Sequence, residues 1–238
     1  MSGKIQVHNE GLERLVEHQM RNWEFAQRQN VRPVRYRAAP ILDFLTISRM
    51  PGLSATSLTD ELHKRLGWPV FDREIIQTMA HDDSYRERIY SSMDERDLNW
   101  FEDVLRSLDS GEFARNDYYR RLISTISLLA RKSHAIFVGR AVDLVLPQNL
   151  GLRIRLMASH EYCVQSFAKS EHLSHEDAEK ELNELLKARS RFFRRHFKRS
   201  DDDPSRHDLI INIERLSSSA AADLIMAALQ IRKIIAYE

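Results

Sequence analysis

The sequence predicts a three-layer α/β/α fold, a five-stranded parallel sheet with helices on both faces, and one further helix ahead of it. Short runs that are apolar on both faces read as buried strands. Longer segments with helical spacing separate them, and this alternation builds a parallel sheet. The size agrees: 238 residues, 42% hydrophobic and 30% charged, suit one compact domain with a sizeable core.

Residues 11–30 place Leu12, Leu15, Val16, Met20, Trp23 and Phe25 among charges, which describes an amphipathic helix whose apolar face needs a partner. Residues 31–40 hold two prolines and three arginines and read as an extended connector. The boundary falls near Pro40, giving an N-terminal helical extension over 1–40 and a main domain over 41–238. Within that domain Ile41 to Ser48 is the first strand, and Leu58, Leu62 and Leu66 share one face of a helix that Gly67 ends. Pro69 to Phe71 is a short second strand running into Asp72, and His134 to Gly139 a third. Leu152 to Met157 and Leu209 to Ile213 complete the five. The long stretch between the second and third strands carries helical pattern, including Asp97 to Leu108 and Tyr118 to Arg131, and a helical insertion is expected over about 84–132.

Composition excludes several functions. Lys and Arg total 36 against 35 for Asp and Glu, so no global field draws the chain to nucleic acid or anionic lipid. The single cysteine, Cys163, rules out an intramolecular disulfide and suits a reducing compartment. The ten histidines are scattered, none at metal-ligand spacing. No apolar run has signal-peptide or membrane-spanning length. The expected location is cytoplasmic, without membrane association.

The segment after the first strand, Arg49-Met50-Pro51-Gly52-Leu53-Ser54-Ala55-Thr56-Ser57, occupies the place of a phosphate-binding G-x-x-x-x-G-K-[ST] loop, whose backbone N–H groups and following helix N-terminus surround phosphates. Only Gly52 and the hydroxyls of that pattern remain. A turn capped by Ser54, Thr56 or Ser57 is the plain structural alternative.

The landmarks around this loop are more specific. Thr46-Ile47-Ser48-Arg49, Gly52, Leu66-Gly67, Pro69, Phe71-Asp72 and Glu74 resemble the opening of cytidylate kinase-like proteins, which reads I-S-R-x-x-G-S-G-G and later L-G-x-P-x-Y-D-x-E. The resemblance continues at Phe137-Val138-Gly139-Arg140-Ala141 with Asp143, at Arg189, Arg191, Arg194 and Arg195, and at Asp208 to Asn212, in order and over about 44–215. It implies a nucleoside-monophosphate-kinase-like P-loop fold in which the 52–57 loop (Gly52, Leu53, Ser54, Ala55, Thr56, Ser57) holds the donor phosphates. Mg²⁺ would arrive with ATP and meet Ser57 or Thr56. Asp72, Gly139, Arg140, Asp143 and Arg191 would serve the acceptor. Arg189, Arg194 and Arg195, within a lid-like arginine segment over about 187–206, would stabilise transferred charge.

The implied reaction is transfer of the γ-phosphoryl group of ATP to a nucleoside monophosphate, CMP or dCMP being favoured. Two departures bear on it. Ser54-Ala55 replaces Gly-Gly, so each Cβ restricts the loop. Ala55 also stands where a true cytidylate kinase has its lysine, and Arg49 is the candidate replacement cation. The alternatives are a catalytically impaired nucleotide-binding or regulatory module that recruits a partner or a second copy through its N-terminal helix, and transfer to a small non-nucleotide acceptor. A nucleic-acid patch built from the same arginines with Phe192, Phe193 and Phe197 conflicts with the near-zero net charge.

Overall fold

The structure, a computed structural model, describes residues 10–29, 41–91 and 117–236. The connector at 31–40 and the helical pattern at Asp97 to Leu108 lie outside the described residues.

The chain runs α1 (Glu10–Gln29), β1 (Phe44–Arg49), α2 (Thr56–Leu66), β2 (Val70–Phe71), α3 (Arg73–His81), α4 (Asp83–Tyr90), α5 (Asp117–Lys132), β3 (Ala135–Val138), α6 (Val142–Val145), β4 (Leu152–Met157), α7 (His160–Glu171), α8 (His175–Phe197), a 3₁₀ turn (Pro204–Arg206), β5 (Leu209–Asn212) and α9 (Ser218–Ile231). The strands form one sheet in the order β2-β3-β1-β4-β5 with every pairing parallel. The predicted fold class is therefore the observed one. The strands are shorter than the apolar runs that announce them, because pairing begins at Phe44 and Ala135 rather than at Ile41 and His134.

Alternation along the strands divides the core. Leu45, Ile47, Ile136, Val138, Leu152, Ile154 and Leu156 meet Leu58 and Leu62 of α2 and Ala221, Ala222, Ile225 and Leu229 of α9. On the other side Phe44, Phe71, Ala135 and Phe137 pack with α3 and α5. On that same side β1 and β4 also place Thr46, Ser48, Arg153 and Arg155, all buried. A polar strip thus runs across an otherwise apolar sheet and ends at the carboxyl ends of β1 and β4.

α1 docks on its own chain. Val16, Met20 and Trp23 are buried in the α3–α5 cluster, and Trp23 Nε1 donates to the Leu129 carbonyl at 3.2 Å. Gln19 Oε1 accepts from the Val70 amide at 3.0 Å, which satisfies a donor on the edge strand β2. Arg88 of α4 holds Glu17 and Glu24, each at 2.8 Å. The apolar face that the sequence leaves open to a partner or a second copy packs largely on its own chain, and Leu15 and Phe25 are its exposed remainder.

Among the described residues no helix is long and apolar enough to cross a membrane.

Candidate phosphate-binding site at the carboxyl ends of the strands

Ligands of open parallel sheets bind beyond the carboxyl ends of the strands, and Arg49, the 52–57 loop, Asp72, Gly139 and Arg140 follow the carboxyl ends of β1, β2 and β3. The 52–57 loop joins β1 to α2. Gly52 is left-handed, with φ +86, and a Cβ there would lie 2.6 Å from the Cys163 carbonyl oxygen and 3.2 Å from Leu182 Cδ1. Only glycine fits between the loop and α7. Leu53 is buried with Cys163, Val164, Ala178 and Leu182 in a separate small cluster beneath α7 and α8. The loop is therefore anchored by its side chain as well as its backbone.

That anchoring consumes part of its phosphate-binding capacity. The Leu53 amide donates to the Met50 carbonyl at 3.3 Å, and the Thr56 amide to Ser54 Oγ at 3.3 Å. Ala55 is the buried N-cap of α2 without a side-chain cap, so the free amides of the first helical turn remain the loop's anion-binding element. Arg49 turns back across the loop and its Nη1 donates to the Leu53 carbonyl. Burial lowers its pKa, the charge of Arg189 pushes the same way, and Asp72 opposes.

Asp72 caps α3, its Oδ1 accepting from the Glu74 and Ile75 amides at 3.0 and 2.9 Å. Asp72 therefore serves as a helix cap, and its charge favours the cationic form of Arg49.

Gly139, Arg140 and Ala141 all have positive φ (77, 55 and 53), so the chain leaving β3 makes a left-handed bend at two non-glycine residues. Arg140 carries a second cost. Its Nε and Nη2 are buried with no hydrogen-bond partner among the described residues. Burial lowers its pKa, with Tyr118 and Tyr119 opposing and Arg73 reinforcing. Two donor positions of this guanidinium are thus open to a hydrogen-bond acceptor that the described residues do not supply.

The arginine segment resolves differently from the expectation that several of its cations share one side of a cleft. At about 100° per residue, Arg191, Arg194 and Arg195 lie roughly 200°, 140° and 240° around the axis from Arg189. Arg189 alone turns inward: its Nε donates to Asp201 Oδ2 at 3.1 Å, its Nη2 to Ser48 Oγ at 3.2 Å, and it covers the ring of buried Phe193 at 5.2 Å. Arg191, Arg194 and Arg195 are exposed and line a separate groove with Ala188 and Phe192. Asp143 departs as well. It is buried and its Oδ2 accepts from Arg206 Nη2, so its carboxylate serves an internal ion pair rather than an open acceptor site.

The sequence assigned no role to Arg155, Arg206 or Asp201, and Ser48 entered only as a landmark of the first strand. The available signal was the run Leu152 to Met157, which puts two arginines into a strand buried on both faces. Arg153 is satisfied by loop carbonyls, including Leu150 at 2.8 Å. Arg155 is held by Ser48 Oγ at 3.1 Å and Asp202 Oδ1 at 2.9 Å.

For a divalent ion, the donors at the loop are the exposed hydroxyls of Thr56 and Ser57, and Thr56 Oγ1 already accepts from Ser54 Oγ at 3.1 Å. Among the described residues no group of three His, Cys, Asp or Glu side chains can hold a metal. Neutral hydroxyls on a helix N-terminus fit an ion that brings phosphate oxygens and water as its other ligands, not a resident one.

A five-stranded parallel sheet with helices on both faces, an anchored loop between β1 and α2 and cations at the carboxyl ends defines a protein of the open α/β class. Within that class the chain belongs to the cytidylate kinase-like family, whose family model matches residues 44–215. An uncharacterized protein from Eubacterium ventriosum is similar in structure over 80% of this chain and 99% of its own, with 14% identity and a TM-score of 0.54. A gluconokinase from Sinorhizobium meliloti aligns over 82% and 95% of the two chains with 10% identity and a TM-score of 0.41. A dephospho-CoA kinase from Campylobacter jejuni aligns over 81% and 97% with 16% identity and a TM-score of 0.38. No curated protein matches the chain in sequence.

Proposed function

We propose that the chain is a nucleotide-binding phosphotransferase that moves the γ-phosphoryl group of ATP to a nucleoside monophosphate, with CMP or dCMP as the favoured acceptor. The observation that carries the reading is Arg140, whose Nε and Nη2 are buried without a hydrogen-bond partner among the described residues, on a left-handed bend at the carboxyl end of β3. A phosphate fills two donor positions of such a group at once, and no side chain among the described residues does.

In this reading the acceptor phosphate binds Arg140, with Gly139 allowing close approach and Asp72 setting the position of α3 and the charge opposite Arg49. The donor phosphates lie over Gly52, Leu53, Ser54 and Ala55 and meet the free amides at the start of α2. Thr56 and Ser57 hold the Mg²⁺ that accompanies ATP, which when bound offsets charge on the phosphate oxygens. Arg189 supplies the cation nearest the loop. Arg194, Arg195 and Arg191 can take part only after α8 moves, because they point away from Ser48 and Arg49. Phosphoryl transfer asks for positioning and charge neutralisation rather than covalent chemistry, which matches a site made of arginines and amides.

A second reading, a nucleotide-binding module with little or no turnover, draws on the loop itself. Ala55 offers no cation, and Arg49 is tied to the Leu53 carbonyl. Purified protein with ATP, Mg²⁺ and a panel of monophosphates separates the two. Formation of a nucleoside diphosphate, lost in Arg140→Ala and Arg189→Ala proteins that remain folded, supports the kinase. Saturable nucleotide binding without diphosphate supports the module, and absence of nucleotide binding refutes both.

A further inference from the structure

The polar strip on the sheet ends in an arrangement of which the reading above uses only Arg189. Arg155 stands on β4 in register with Ser48, one residue before the end of β1. Its Nη1 donates to Ser48 Oγ at 3.1 Å, and Arg189 Nη2 donates to the same oxygen at 3.2 Å. Two guanidinium groups thus converge on one neutral hydroxyl beside the loop. Like charges a few Å apart repel by roughly 4 kcal/mol at the effective dielectric of a protein site, and a hydroxyl does not cancel that. Burial lowers the pKa of both arginines, Arg189 pushes Arg155 further down, and Arg49 lies in the field of Arg189 as well.

Their counter-ions are unequal. Asp201 pairs with Arg189 and its side chain is 6% exposed, so that pair is closed. Asp202 pairs with Arg155, whose side chain is 8% exposed, but Asp202 itself is 80% exposed. A carboxylate standing mostly in water holds its partner weakly and leaves at little cost. The remaining charges facing the pair belong to the Asp143–Arg206 couple, which is internally matched.

We infer that Arg155, with Arg189 and the Ser48 hydroxyl, forms an anion subsite for a phosphate group beside the loop after β1, and that Asp202 is the internal counter-ion the phosphate displaces. The inference deepens the phosphotransferase reading and rests on it only in taking the phosphate to be a nucleotide's. Arg155 then supplies the cation that Ala55 does not, from the adjacent strand rather than from the loop.

The test is calorimetric titration of the full chain with inorganic tripolyphosphate, without nucleotide or Mg²⁺, at low ionic strength. Asp202→Asn removes the competing carboxylate from an exposed position where folding is not at stake, and it tightens tripolyphosphate binding about tenfold. Arg155→Gln weakens binding about tenfold or more, and the Arg155→Gln/Asp202→Asn double variant loses the gain of Asp202→Asn. Unchanged or weaker binding in Asp202→Asn overturns the inference and makes Asp202 a brace for the 200–207 segment. So does a gain that survives Arg155→Gln. Should Arg155→Gln fail to fold, Arg155→Lys, which keeps the charge and loses the fork, replaces it, and the response of Asp202→Asn still decides. A chain that shows this pattern yet makes no diphosphate upholds the subsite while refuting the kinase reading.

Discussion

Arg140→Ala should make the ligand-free protein more stable while weakening the acceptor side. Nε and Nη2 are buried without partners among the described residues, and each buried unsatisfied group costs about 1–3 kcal/mol. Truncation removes those costs and forfeits the apolar stem of a half-buried side chain, about 1–2 kcal/mol. The backbone contributes nothing to the balance, because alanine at φ 55 is as disfavoured as arginine. The net gain is about 1 kcal/mol, which for a chain of this size raises Tm by about 2–4 °C. The loss to a phosphate is that of at least one charge-assisted hydrogen bond, about 1.5–3 kcal/mol, or roughly 10- to 150-fold in affinity. Thermal unfolding followed by circular dichroism reads the first quantity, and calorimetric titration with CMP and other monophosphates the second. A Tm that falls by several degrees would show Arg140 to be a structural brace, and unchanged monophosphate affinity in a folded variant would remove it from the site.

Three further outcomes follow from the packing. Gly52→Ala puts a Cβ 2.6 Å from the Cys163 carbonyl at a left-handed position, so urea unfolding should show a loss of at least about 2 kcal/mol, including about 1–2 kcal/mol for the backbone alone. Trp23→Ala should cost about 3–5 kcal/mol in the same assay, because it empties a fully buried site and abandons the bond to Leu129. Burial lowers the pKa of His207 from 6.5 to about 4, so the unfolded chain binds the proton that the folded chain refuses. The associated stability is present above pH 6.5 and declines as pH falls toward 4, and His207→Gln should flatten that part of the stability–pH profile.

The sheet was legible because strand burial is a local property: Leu45, Ile47, Ile136 and Ile154 announce buried strands by composition alone. Gly67 and Asp72 were equally readable as helix end and helix start, since caps depend on neighbours in sequence. The distribution of the arginines was not. Spacing along α8 contains the information that Arg189 opposes Arg191, Arg194 and Arg195, but a run of like residues invites reading as one group. Arg155 and Asp143 depend on partners 107 and 63 residues away, and no local pattern encodes them. The role of α1 was open for the same reason. An amphipathic helix declares that it needs a partner without declaring which surface provides it, and the separation of 106 positions from Trp23 to Leu129 hides the answer.

The docking of α1 has a consequence for how the chain assembles. This helix is synthesised before any strand exists, and the groups that receive it, the Val70 amide and the Leu129 carbonyl, emerge from the ribosome only later. Until α1 swings back, the edge at β2 is open to pairing with another nascent chain. Closure of that edge joins Gln19 to Val70 across 51 residues, and the Trp23 bond to Leu129 spans 106, so both are non-local steps. Weakening α1 should therefore show as aggregation during refolding, with the β2 edge left unpaired.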